Sequence, residues 1–145
     1  MATTTANGNY NYSDVYNGKT LGEWVNLNHR ENCRINGWAS TQLRAGAFGF
    51  DNIATSLAYF FDAQKNESSY DDIALASAIH NGWIENYLYW RDNKPWLGTG
   101  KNIYFKAAKP IGDKQRDMCA STPFEHLPEE EKAKDMVFVN FMKQF

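Results

Sequence analysis

Five side chains of one stretch, His80, Trp83, Tyr87, Trp90 and Arg91, are of the types that hold a flat, charged molecule. If the stretch is helical, their spacing of three, four, three and one residues sets them along one side over three turns. Indole and phenol rings stack on planar groups, and a guanidinium grips an anion through two parallel N–H bonds. The rings end where a basic run begins. From Arg91 to Arg116, seven cations (Lys94 among them) stand against two acids, and Trp96 adds another ring at the junction. The combination favours a small anionic ligand over a polymer. The plainer reading stands beside it: tryptophans at helical spacing fill cores, and basic runs are often solvated loops.

Covalent chemistry finds less support. The sequence has no GxSxG, HExxH, GxxxxGK[ST] or GxGxxG. Its three histidines, His29, His80 and His126, are far apart, and a lone helical histidine such as His80 is more often a hydrogen-bonded core residue than a general base. Cys33 and Cys119 lack metal-ligand spacing, Cys33 has no evident activating neighbour except Arg34, Cys119 lies two residues from Asp117, and the acids Glu129 to Glu131 are explained by capping alone. Neither metal nor cofactor is expected, and a non-enzymatic role is favoured. A net charge of −2 and a pI of 5.9 argue against a nucleic-acid polymer as partner. The start, MATTTANGNYNY, does not read as a signal peptide, and no run reaches transmembrane length, so a soluble, cytoplasmic protein is expected, with no membrane partner.

Helices must position these residues. The longest pattern runs from Asp72 to about Asp92, with Leu75, Ala76, Ile79, Trp83, Tyr87 and Trp90 as its stripe, widened by Ile73, Ile84 and Leu88. Asp71 and Asp72 suit its start, and Lys94-Pro95 should stop it. Thr20 with Glu23 predicts a capping box ahead of Leu21, Trp24, Val25 and Asn28. A third helix should begin at Asp51 or Asn52 and fold back as a hairpin onto the long one, after an irregular Ala45–Phe50. The last should have Pro128 in its first turn and bury Val137, Phe138, Phe141, Met142 and Phe145. Trp96 to Ala120 reads as non-helical, with Ile103-Tyr104-Phe105 one arm of a hairpin. The expectation is a mainly α domain of about four helices and a small β-hairpin over residues 20–145, after a flexible segment 1–19.

Two segments resemble the ryanodine-receptor repeat domain. Leu75-Ala76-Ser77-Ala78-Ile79-His80-Asn81-Gly82-Trp83 is similar to that family's leucine-alanine helix carrying His-x-x-Trp. Pro123-Phe124-Glu125-His126-Leu127-Pro128-Glu129-Glu130-Glu131-Lys132 is similar to its Pro-Phe and Leu-Pro-Glu ahead of an acidic helix start. The family often has a basic residue where this chain has Tyr87, and Gly-Trp-x-Tyr-Gly where it has Lys94 to Gly98. The resemblance implies a recognition module, of a kind suspected in bacteria and phages of binding nucleotides or nucleotide-derived signals, with Trp83 as aromatic contact. Helical geometry adds Tyr87, Trp90 and Arg91, with His80, Lys94, Trp96 and Arg116 around them. The expected function is non-enzymatic binding of an adenine-type nucleotide, cyclic or otherwise, and its sequestration, as in a phage protein working in the host cytoplasm. The rivals are a protein–protein module whose aromatic face meets a partner or a second copy, and a small nucleotide hydrolase using His80 or His126.

Overall fold

A computed structural model describes residues 3–37, 46–66, 70–93 and 114–145. It is mainly helical. Among the described residues a two-stranded antiparallel hairpin, β1 (Val15–Tyr16) and β2 (Lys19–Thr20), precedes five helices: α1 (Leu21–Asn36), α2 (Gly46–Asn66), α3 (Asp72–Asn93), α4 (Lys114–Ala120) and α5 (Glu129–Met142). A 3-10 turn, Phe124–His126, joins the last two.

The helix starts follow local chemistry. Thr20 Oγ1 accepts the Glu23 N–H at 3.1 Å while Glu23 Oε1 accepts the Thr20 N–H at 3.1 Å, satisfying two donors that the helix cannot satisfy itself. Asp71 Oδ1 accepts the Ala74 N–H at 2.8 Å and opens α3. At the far end of α1, Gly37 takes φ 70°, a left-handed cap that suits glycine.

α2 and α3 run antiparallel and form the broadest helix contact among the described elements. Gly82 permits it. A Cβ there would stand 2.7 Å from Thr55 O and 2.8 Å from Ser56 Cα, so the backbones meet with no room for any larger residue. Around this contact lies the core of Leu21, Trp24, Val25, Leu57, Phe60, Leu75, Ile79, Phe124, Val139 and Met142, all buried. Each large apolar side chain so buried contributes roughly 1.5–3 kcal/mol against the cost of ordering it.

Several expectations are revised. The hairpin lies at residues 15–20, where Asn17 and Gly18 both take positive φ in the tight turn that Asn-Gly favours; the proposed arm at Ile103–Phe105 lies outside the described residues. The segment expected to be loose is tied down by hydrogen bonds from Thr3 onward, with Thr5 and Tyr12 buried. Its polar groups find carboxylates: Tyr12 Oη and the Ala6 N–H donate to Asp51 at 2.6 and 2.8 Å, and Tyr10 Oη donates to Glu85 at 3.2 Å. α2 starts at Gly46 because Phe48 and Phe50 pack edge-on against Trp90 and His29, which outweighs the weak helix propensity of glycine. Residues 114–120, expected to be non-helical, form α4. On α5 the buried face is turned: Val139 and Met142 are buried, whereas Val137 is 42% exposed, and Phe145, beyond the helix, is 59% exposed. Ile73, placed in the α3 stripe, is also exposed, in the first turn where no helix covers it.

Candidate functional site

A cavity of about 370 Å³ opens between four helices. α2 contributes Asn52, Ile53 and Ser56; α3 contributes Ile79, His80 and Trp83. Gln115, Arg116 and Cys119 line it from α4, and Glu131, Lys134, Asp135 and Phe138 from α5. The spacing explains the walls. Asn52 and Ser56 are one turn apart on α2, as are Ile79 and Trp83 on α3, and Glu131, Asp135 and Phe138 follow at four and three residues on α5. The apolar part includes Ile53, Ile79, Leu127 and the Phe138 ring.

Its polar groups differ in what they already hold. His80, 3% exposed, donates from Nε2 to Thr122 O at 2.7 Å, because a carbonyl can only accept. Glu131 is fully engaged. Lys134 Nζ reaches both of its oxygens at 3.2 Å, and Gln115 Nε2 donates to it at 3.3 Å. Asn52 and Asp135 make no hydrogen bond to any described residue, and Asn52 Oδ1 is shut off from solvent as well. Burial, with a smaller push from Glu131 and partial relief from Lys134, raises the Asp135 carboxyl to about 7. Arg116 brings a second cation to the wall.

Beside the cavity the aromatic side of α3 is closed. Trp83 lies parallel to His80, ring centres 6.0 Å apart, and to Tyr87 at 5.0 Å, one turn before and one turn after it. Arg91 sits over Tyr87 at 5.9 Å, and Asp117 receives the Tyr87 hydroxyl at 2.7 Å and Arg91 Nη1 at 3.1 Å. Those two contacts, the hydroxyl first, hold Asp117 below the usual carboxylate range.

The sequence-derived residues therefore divide. His80, Trp83 and Arg116 border the cavity. Tyr87 and Trp90 do not: they are 0% and 3% exposed, packed with Phe48, Leu88, Tyr89 and Ala120. Arg91 is held by Asp92 and Asp117 outside the cavity wall. Lys94 and Trp96 lie outside the described residues. The stacking foreseen between ligand and rings is made by the rings with each other, so Trp83 can offer an outsider its edge but not its faces.

Sequence reasoning missed Asn52, Ser56, Gln115, Lys134, Asp135 and Phe138. Polar residues in core register on α2 and α5 were the available signal: Asn52 adjoins Ile53, and Asp135 is three residues from Phe138. Among the described residues no group of three or more His, Cys, Asp and Glu could hold a metal ion, and no helix is long and apolar enough to cross a membrane. No protein-family model matches the chain, and neither does any curated protein or solved structure.

Proposed function

We propose that the protein binds, without altering it, a small planar ligand of the adenine-nucleotide type in the cavity between α2, α3, α4 and α5. The observation that carries this reading is the cavity itself: about 370 Å³, within the range of small-molecule sites, with an apolar side and unpartnered polar groups, Asn52 from α2 and Asp135 from α5. Phe138, whose ring has no aromatic partner among the described residues, replaces Tyr87 and Trp90 as the surface for a base. Arg116 replaces Arg91 as the cation nearest a phosphate. The resemblance of residues 75–83 and 123–132 to the ryanodine-receptor repeat favours recognition over catalysis. A binder of this kind acts by withdrawing its ligand from solution.

Thermal unfolding with AMP, ADP and cyclic AMP tests the reading. Ligand at a hundred times its Kd should stabilise the protein by about 2.7 kcal/mol, and Phe138→Ala should remove most of the shift. If none of the three nucleotides at millimolar concentration moves the midpoint, the reading fails.

A further inference from the structure

The cavity contains a carboxyl group that nothing in the protein engages. Asp135 has neither hydrogen bond nor ion pair among the described residues, although it is half-buried on the wall one turn from Glu131. Its surroundings offer a negative charge only the partial compensation of Lys134. Lys134, the nearest cation on α5, has both Glu131 oxygens within 3.2 Å, and the Gln115 amide on α4 also points to Glu131. On α3, His80 has its Nε2–H on Thr122 O and makes no ion pair with Asp135. Arg116 of α4 lines the same cavity but makes no ion pair with Asp135, and from α2 the facing polar groups, Asn52 and Ser56, are uncharged.

We infer that Asp135 reads the ligand as a neutral carboxyl group, taking up a proton as the ligand binds. This rests on the binding reading above and specifies its chemistry. A carboxylate is an acceptor only, whereas a carboxylic acid places one donor beside one acceptor. That pair matches an amino group next to a ring nitrogen, the edge that adenine presents, which an amide recognises in the same bidentate way. Filling the cavity also removes water from Asp135, disfavouring the charged form further, and a neutral Asp135 no longer repels a phosphate. The rise of this carboxyl to about 7 agrees with the geometry.

Cyclic AMP is a suitable probe, because its phosphodiester carries one charge throughout the range from about pH 6 to 8 and the probe itself does not titrate there. Titration calorimetry on the whole chain should show wild-type affinity about tenfold tighter at pH 6 than at pH 8, following the fraction of Asp135 protonated. At pH 8 the measured heat should vary with buffer ionisation enthalpy as one proton is taken up. Asp135→Asn, which keeps donor and acceptor side by side, should bind equally at both pH values, near the wild-type affinity at pH 6. Asp135→Leu should lose about tenfold or more at pH 6. Far-ultraviolet circular dichroism checks that both variants fold. If Asp135→Asn keeps the tenfold pH dependence, or Asp135→Leu binds like wild type, the inference is overturned while ligand binding stands. If wild type binds cyclic AMP at neither pH and the other nucleotides also leave the midpoint unchanged, the binding reading falls and takes this inference with it.

Discussion

The ladder from Trp83 to Arg91 and the cavity beside it share one helix, yet they treat polar groups in opposite ways. In the ladder the Tyr87 phenol, the Arg91 guanidinium and the Asp117 carboxylate all have partners, and the rings cover each other. In the cavity Asn52 and Asp135 have none, and the nearby lysine, Lys134, is hydrogen-bonded to Glu131 and relieves Asp135 only in part. Aromatic residues at helical spacing advertise a site but can pack against one another instead. On the reading proposed above, the unspent hydrogen-bonding capacity of Asn52 and Asp135 is what an outside molecule would use.

That contrast can be tested at three positions. Tyr87→Ala should have the largest effect: a fully buried ring and a hydroxyl on Asp117 are lost, costing about 3–5 kcal/mol in chemical denaturation. If the cost is below about 1 kcal/mol, the ladder is not the packed element described. Gly82→Ala comes next, at about 1–3 kcal/mol, because its Cβ meets backbone atoms of Thr55 and Ser56 that cannot swing away. Asp135→Asn should be the smallest change and opposite in sign. With its carboxyl at about 7 in the folded chain against roughly 3.9 when unfolded, the native state binds more protons between those values, so stability falls as pH rises through that window. The variant should therefore gain about 1–2 kcal/mol at pH 8 and nothing at pH 4. Equal midpoints at both pH values would show that Asp135 is solvated and remove one half of the comparison.

Much of the fold was legible because it is written locally. The capping box at Thr20 and Glu23, the bounds of α3 and the fold-back of α2 all follow from spacing within one helix or turn. Asn-Gly at 17–18 was an equally local sign of the hairpin, obscured by the polar composition around it. The cavity was not legible in this way. It depends on which faces of α2, α4 and α5 turn toward Ile79 and Trp83, and the register of one helix against another is set by contacts such as Gly82 on Ser56 that no single helix reveals. Glu131 illustrates the limit: its place in an acidic first turn explained it sufficiently, and nothing in that explanation placed it against Gln115 on another helix.

The phenols fastened to carboxylates near the start of the chain give the molecule an optical gauge of its own integrity. Burial, then hydrogen bonding to Glu85 and Asp51, lifts Tyr10 and Tyr12 well above the ordinary phenol range. The stabilisation is complete below about pH 10 and fades as alkali rises beyond it, so these rings ionise only when their anchors release. Because Asp51 is the residue before Asn52, a late step in phenolate absorbance would report the loosening of the helical turn on which the cavity wall stands.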